Sequence, residues 1–212
     1  MAYSIEATAA DCYDGTTCLI NKLGIRDEAK LADTEAAIVL AKASYLFLHP
    51  IPGDYDLNHL CAIHRYLFSD LYDWAGELRT ISISKKTTTF VPPAEIKHAA
   101  DACFDRIRKI DFPSLREYEF AAELADFYNT LNMIHPFREG NGRTQRLFFS
   151  LWLRDIGYEF DFTSIDQDLF MIATIKAAQG VLDDLAELFH SHVISCPVPG
   201  LQTLETSGGH IT

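Results

Sequence analysis

The stretch NMIHPFREGNGRTQRLFF, residues 132–149, holds the most unusual chemistry of this 212-residue chain. A residue before proline is driven out of the helical region, so the helix ending in LNMI should stop near His135 and leave the imidazole at a helix-to-loop corner. Two glycines then flank Asn141, and RTQRLFFSLWL begins a second helix. The stretch predicts a helix, a tight loop and another helix, with polar side chains gathered at the loop.

The loop has the residue types of an anion site. Its glycines and Asn141 allow successive backbone N–H groups to turn inward at the positive end of the following helix, where phosphate oxygens bind. Arg143 and Arg146 are three residues apart, share a helix face and can each bind phosphate. Glu139 adds a hard oxygen ligand of the kind that Mg2+ takes beside waters and phosphates. These residues favour a nucleoside triphosphate with Mg2+.

A histidine beside such a site suits proton transfer. If His135 takes a proton from an incoming hydroxyl while the loop and arginines stabilise charge on phosphorus, the site transfers a phosphorus-containing group. Phe137 is expected to anchor the loop in the core. Arg138 is expected to extend into solvent.

The composition limits the class of protein. A net charge of -12 argues against a nucleic-acid-binding surface, and 48% hydrophobic residues suffice for a core. The five cysteines lack CxxC spacing, so neither zinc nor a disulfide framework is predicted. The N-terminus does not resemble a signal peptide, and no apolar run approaches the roughly 20 residues that span a bilayer. A cytoplasmic protein without membrane contact is expected.

Hydrophobic periodicity predicts a mainly α fold. In residues 57–74, Leu60, Ile63 and Leu67 recur at helical spacing. Further helices are predicted at 32–48, 94–110, 116–133, 143–155, 166–178 and 181–193. Residues 78–93 differ, because LRTISIS alternates with period two, KKT supplies a turn and TTFVPP is a second extended piece, which predicts a small β-hairpin.

The predicted elements divide the chain into an N-terminal helical extension at 1–56, a main domain at 57–193 and a C-terminal tail at 194–212. The last 17 residues hold few large apolar side chains and are expected to lie over the surface or fray.

The segment HPFREGNGRTQR, His135 to Arg146, resembles the Fic-domain signature at every fixed position. The resemblance extends from roughly Asn58 to Phe189 and implies the Fic fold, a helical bundle with a β-hairpin flap over the active site. It implies that His135 deprotonates a target hydroxyl, which attacks the α-phosphorus of ATP. Pyrophosphate then leaves and AMP stays on the target protein.

The same resemblance implies roles for the other site residues. Glu139 would hold Mg2+ between the α- and β-phosphates, Arg143 would contact the β-phosphate and Arg146 the γ-phosphate. The residues implied to bind ATP are Phe137, Gly140, Asn141, Gly142, Arg143 and Arg146. Gly142 keeps the pattern that transfers AMP, since relatives that phosphorylate their targets carry lysine there.

The flap is implied to bind the target. Residues 80–91 would hold an extended target segment by strand addition, which uses main-chain groups, with Thr89 and Phe90 at the docking position.

Control by a partner is a further implication. Many Fic proteins carry an inhibitory helix with serine or threonine, three residues, glutamate, then glycine or asparagine, and no such segment occurs in this sequence. The resemblance is therefore to toxins that receive this helix in trans from a small antitoxin. Their implied targets are the ATPase subunits of DNA gyrase and topoisomerase IV.

Three alternatives remain at this point. The chain could transfer another nucleotidyl group, serve as a host-directed effector, or act as a non-enzymatic nucleotide-sensing module.

Overall fold

The computed structural model describes residues 4–5, 11–85 and 88–195. That part of the chain contains seven α-helices: α1 Glu28–Leu48, α2 Leu57–Phe68, α3 Ile96–Ile107, α4 Glu117–Ile134, α5 Asn141–Asp155, α6 Gln167–Ala177 and α7 Asp183–His192. It also contains five short strands: β1 Ser4–Ile5, β2 Ile83–Lys85, β3 Thr88–Thr89, β4 Tyr158–Glu159 and β5 Ile194–Ser195. The predicted mainly α fold is confirmed, and a helix lies at every predicted position.

Helix α2 is shorter than its periodicity predicts, because it ends at Phe68 and not at Trp74. The N–H groups of Leu71 and Tyr72 both donate to the carbonyl of Phe68, which closes a turn. The turn places Tyr72 in the core. The apolar residues after Phe68 are therefore buried from a turn, although their spacing continues the helical pattern.

Helix α4 lies at the centre of the helical body, in contact with α3, α5 and α7. Aromatic side chains fill the space between α4 and α5: the ring centroid of Phe127 lies 4.7 Å from that of Phe149 and 5.3 Å from that of Trp152. Burial of such rings dominates core energetics. Because the C-terminus of α4 and the N-terminus of α5 flank the loop at 135–140, this packing fixes the predicted site on rigid elements.

The predicted hairpin is present but starts later than expected. Strand β2 pairs antiparallel with β3, with Ser84 opposite Thr89. Residues before Ile83 are not strand, because the backbone N–H of Arg79 donates instead to the carbonyl of Pro136 at 2.9 Å. This bond attaches the approach to the hairpin to the site loop.

Two strand pairings were not predicted. Strand β1 pairs antiparallel with β2, with Ser4 opposite Ser84, so β2 is the central strand of a three-stranded sheet. Strand β5 pairs with β4, which joins the beginning of the predicted C-terminal tail to the helical body. The residues predicted to fray, 196–212, lie outside the described part of the chain. Two-residue strands leave too short a pattern in the sequence for alternation to be recognised.

Within the ranges that the structure describes, none of the helices has both the length and the apolar character that a bilayer crossing requires. Cys12, Cys18, Cys61 and Cys103 are free thiols. Cys196 lies outside the described residues.

Candidate active site

His135 lies immediately after α4 in a left-handed conformation, with φ of 47°. Its backbone N–H still donates to Leu131, but the proline that follows prevents continuation of the helix. The ring is directed into the protein and the residue is 5% exposed. The predicted helix-to-loop corner is therefore confirmed, and the corner is strained in a way that functional sites often are.

The ring of His135 is held in a form suited to a base. Its Nδ1 lies 3.1 Å from the carbonyl oxygen of Asn132, which accepts a hydrogen bond from Nδ1–H. The lone pair then resides on Nε2. Burial lowers the pKa of His135 to about 3 despite the opposing effect of the Asn132 bond, and the charges of Arg79 and Lys85 make smaller contributions in the lowering direction. The imidazole is therefore neutral at physiological pH.

Arg79 fixes the backbone around His135, a role that sequence reasoning missed. Its Nε–H donates to the carbonyl of His135 at 2.8 Å, and Nη1 donates to Ile81 at 2.8 Å. Nη2 donates to the carbonyls of Val91 and Ile134. One buried guanidinium thus joins the end of α4 to both sides of the hairpin, and burial lowers its pKa.

Phe90 covers one face of the His135 ring. Its ring is stacked on the His135 ring, with centroids 3.9 Å apart and an interplanar angle of 16°. Phe90 is buried, whereas the preceding Thr89 is exposed. Of the two flap residues singled out from the sequence, Thr89 is therefore presented to solvent and Phe90 shields the histidine.

The glycine-rich loop is closed by its own asparagine. Asn141 Nδ2 donates to the carbonyl of Phe137 at 2.7 Å, and the Phe137 N–H donates back to Asn141 Oδ1 at 2.8 Å. The oxygen and the nitrogen of the Asn141 side-chain amide thereby both help to shape the loop. The Phe137 ring is fully buried, as the predicted anchor requires, so any nucleotide contact of Phe137 would be made by its backbone.

Gly140 is required by geometry. It has φ of +77°, and a Cβ there would lie 2.3 Å from Cζ of Phe68. At Gly142 the nearest side chain is the flexible end of Arg146, at 3.3 Å. Gly140 therefore permits the close approach of the loop to the core, and its αL conformation is one that L side chains adopt at a cost.

His64 supports the loop from below and was not predicted. Its Nδ1 accepts the N–H of Gly76 at 2.8 Å, so Nε2–H donates to the carbonyl of Glu139 at 3.0 Å. The ring stacks on Phe137 with centroids 3.9 Å apart. Burial lowers its pKa to about 4, and the charge of Arg143 acts in the same direction. A neutral, fixed histidine thus sets the position of Glu139.

The residues predicted to bind the metal and the phosphates come together above this support. Glu139 Oε1 accepts the N–H of Gly140 at 2.9 Å and lies 3.4 Å from Nη2 of Arg143. Arg143 and Arg146 project from the first two turns of α5. The first-turn N–H groups of a helix have no intrahelical partner and carry partial positive charge. The site therefore has the donors and charges that a polyphosphate needs.

A metal at Glu139 fits these residues if most of its ligands are external. In the described part of the chain, no group of three or more His, Cys, Asp or Glu side chains is arranged to hold a metal. One carboxylate beside an anion site suits Mg2+, which keeps waters and takes substrate phosphates as ligands.

Two residues depart from or extend the sequence analysis. The expectation for Arg138 is wrong: its side chain is 8% exposed and its Nε donates to Asp11 at 3.2 Å. Glu35 of α1 was not considered, although it is buried and accepts hydrogen bonds from Arg143 and Tyr72. A signal existed, because Leu31, Glu35 and Val39 occupy one helical face and only the middle residue is charged.

Comparisons with known proteins agree with this fold. The model of the Fic/DOC family matches residues 54–153. The probable protein adenylyltransferase y4lH of Sinorhizobium fredii is 36% identical over 178 residues, which are 82% of this chain and 91% of that protein. BepC of Bartonella tribocorum, a VirB-translocated effector with bound AMPPNP, is similar at a TM-score of 0.79 and 29% identity, over 87% of this chain and 96% of that one. An N-terminal Fic domain of Bartonella quintana with bound ADP has a TM-score of 0.82 at 27% identity, over 89% and 96% of the two chains.

The fold and the site together define a nucleotidyltransferase. The extent of the similarity to y4lH goes beyond the motif itself, and the chain belongs to the Fic/DOC family, within its protein adenylyltransferases.

Proposed function

We propose that residues 57–193 form the domain that transfers AMP from ATP to a hydroxyl side chain of a target protein. The observation that carries this proposal is the neutral His135, whose Nδ1–H is bound to Asn132 beside the loop that begins α5. A base must be unprotonated at the operating pH, and burial lowers the pKa of His135 so that this condition is met. The complexes of similar Fic domains with AMPPNP and ADP support ATP as the co-substrate.

The reaction follows from this arrangement. His135 Nε2 takes the proton of the target hydroxyl, and the oxygen forms a bond to the α-phosphorus while the bond to the β-phosphate bridging oxygen breaks. Arg143 binds the β-phosphate and Arg146 the γ-phosphate, so that charge developing on pyrophosphate is stabilised. The loop amides from Gly140 to Gly142 bind phosphate oxygens. Mg2+ at Glu139, when bound, neutralises part of the charge on the phosphates.

The target segment adds to the flap as a further strand. Because β1 occupies one side of β2 and β3 the other, β3 is the strand at the sheet edge within the described residues that adjoins His135. Addition along Thr88–Thr89 uses backbone groups and leads directly to Phe90, which contacts the base. This placement brings a target hydroxyl toward Nε2.

The biological role that we propose is that of a toxin in a toxin–antitoxin module. The sequence lacks the inhibitory serine-or-threonine and glutamate motif, so a small antitoxin would supply that helix in trans and pair its glutamate with Arg146. The targets that we propose are the ATPase subunits of DNA gyrase and topoisomerase IV, modified at tyrosine. The cytoplasm is the compartment consistent with such targets.

A second candidate role is a host-directed effector. It is favoured by the similarity to Bartonella proteins described as VirB-translocated effectors. The enzyme chemistry would be the same, and the modified protein distinguishes the two roles.

The deciding experiment incubates the purified chain with a bacterial lysate and, separately, with a eukaryotic lysate, using α-labelled or γ-labelled ATP. We expect protein labelling from the α-position only, and none with His135→Ala. Labelling from the γ-position would refute AMP transfer. Labelled gyrase and topoisomerase IV subunits support the toxin role, and labels confined to eukaryotic proteins support the effector role.

A further test addresses metal and antitoxin separately. Glu139→Ala should weaken the dependence of labelling on Mg2+, and Arg146→Ala should weaken repression by a co-expressed antitoxin. Metal-independent labelling by the unmodified chain would contradict the role of Glu139. Unchanged repression of Arg146→Ala would contradict the inhibitory contact.

A further inference from the structure

Helix α1 places a carboxylate against the first arginine of the glycine-rich loop. Glu35 Oε1 accepts a hydrogen bond from Nη2 of Arg143, and Glu35 Oε2 accepts the hydroxyl of Tyr72. The same Arg143 nitrogen lies 3.4 Å from Glu139. The Arg143 guanidinium also lies over the ring of Phe68, 5.0 Å from its centroid. Three elements outside α5 therefore fix one side chain of α5.

Glu35 contacts the side of the Arg143 guanidinium that faces the protein interior. The side chain of Glu35 is 8% exposed, whereas that of Arg143 is 28% exposed. The carboxylate thus lies behind the arginine, together with Tyr72 and away from the solvent-facing side where a phosphate would bind. A buried carboxylate is costly without partners, and Glu35 has one partner for each oxygen.

We infer that Glu35 is a positioning residue that holds Arg143 in the orientation required to bind the β-phosphate of the nucleotide. This inference rests on the proposed function, which assigns that phosphate to Arg143. Using Nη2 for Glu35 leaves the remaining guanidinium donors in a fixed direction. An arginine held in advance loses less conformational entropy on binding a phosphate.

The test compares the binding of ADP and AMP by calorimetry, using the full chain. Glu35→Gln retains the size and most hydrogen-bonding capacity of the side chain but removes its charge. We expect it to weaken ADP binding by about tenfold, as for loss of one charge-assisted hydrogen bond, and to leave AMP binding unchanged. AMP is the internal control, because a general folding defect would weaken both nucleotides.

Matched variants separate the inference from the proposed function. Arg143→Ala should weaken ADP binding, and adding Glu35→Gln to it should have no further effect, because the carboxylate acts through the arginine. Tyr72→Phe should reproduce part of the Glu35→Gln effect without changing charge. Asp33→Asn, an exposed carboxylate on the same helix, should bind both nucleotides as the unmodified chain does.

The outcomes are distinct. If Arg143→Ala weakens ADP binding but Glu35→Gln does not, or if Glu35→Gln weakens ADP and AMP equally, the positioning role is refuted and the proposed function stands. Tighter ADP binding by Glu35→Gln would show that the carboxylate competes with phosphate, and this also refutes positioning. If Arg143→Ala leaves ADP binding unchanged, the phosphate assignment in the proposed function fails and the inference fails with it.

Discussion

Arg79 donates its Nε–H to the carbonyl oxygen of His135 at 2.8 Å, so the residue that leads into the flap fixes the backbone of His135. The same guanidinium reaches the carbonyls of Ile81 and Val91 on the two sides of the hairpin. The flap and His135 are thus joined through one buried guanidinium. Their relative position does not depend on the short strand pairing alone.

Replacement of Arg79 by lysine tests whether its hydrogen bonds hold the flap and the end of α4 together. Lysine keeps the charge but cannot reach several carbonyls from a planar fork, which leaves buried acceptors unsatisfied. We expect the free energy of unfolding to fall by about 3 kcal/mol, measured by urea denaturation, and AMP transfer to fall more than tenfold. Arg116→Lys, at a side chain that is 85% exposed, is the matched control and should change neither quantity. Equal stability of the two variants would contradict the claim that the hydrogen bonds of Arg79 connect the flap to the end of α4.

Phe90 is expected to control the titration of His135. Phe90→Ala exposes the imidazole to water, which removes part of the burial that lowers its pKa to about 3, so the pKa should rise toward the ordinary value. The unmodified enzyme should keep its base neutral at pH 5.5, whereas the variant would lose up to roughly tenfold in kcat/KM between pH 7.5 and 5.5. The measurement is the pH–rate profile of both proteins.

The exposed neighbour Thr89 supplies the control for this prediction. Thr89→Ala should shift no titration, because Thr89 does not stack on the imidazole. Superposable profiles for Phe90→Ala and the unmodified chain would refute the role of the ring as a shield.

His64 should make stability dependent on pH. Its folded pKa of about 4 lies below the ordinary value of 6.5, so between these values the unfolded chain binds a proton that the folded chain does not. Titration of His64 therefore does not change the free energy of unfolding above about pH 6.5. As the pH falls from there toward the folded pKa, the free energy of unfolding decreases by about 1.4 kcal/mol per pH unit for such a group. His135 contributes in the same direction.

Glutamine can replace His64 as an acceptor for Gly76 and a donor to Glu139 without titrating. Denaturant unfolding at pH 7 and pH 5 should therefore show a smaller loss for His64→Gln, by about 2 kcal/mol, than for the unmodified chain. Parallel losses in the two proteins would show that His64 is not the titrating group.

Gly140 and Gly142 should differ in their tolerance of alanine. Gly140→Ala combines a left-handed backbone with a Cβ 2.3 Å from the Phe68 ring, and we expect it to cost about 2–4 kcal/mol of stability and to abolish nucleotide binding. Gly142→Ala meets only a movable arginine end at 3.3 Å and should unfold close to the unmodified chain. Thermal unfolding and ADP calorimetry check both. A Gly140→Ala protein with normal stability would mean that the loop can move away from Phe68.

The helices and the motif were predicted from local patterns. Apolar residues at helical spacing predicted the positions of α1 to α7, and the proline after His135 predicted where α4 stops, because both effects act over a few neighbouring residues. The limits of such patterns are visible at Tyr72, whose burial continues the α2 pattern beyond the turn that ends the helix.

The residues that only the tertiary structure identified act across long separations. Glu35 reaches Arg143 over 108 positions, and Arg138 reaches Asp11 over 127 positions. No local pattern specifies which arginine a distant carboxylate will meet, since that depends on how helices pack. The position of Glu35 within the apolar face of α1 indicates that this carboxylate needs a buried partner, but it does not indicate which residue that partner is.

The sequence by itself determined the residue types of the candidate site, because twelve consecutive residues carry the histidine, the carboxylate, the glycines and the arginines Arg143 and Arg146, and their order sets the helix, loop and helix. The tertiary structure decided the state of those residues. Burial between Phe90 and the end of α4 makes His135 neutral, and contacts from α1 and α2 fix Arg143 and Glu139. The physical reason is that pKa values and side-chain orientations depend on groups brought together by packing, which lie far apart along the chain.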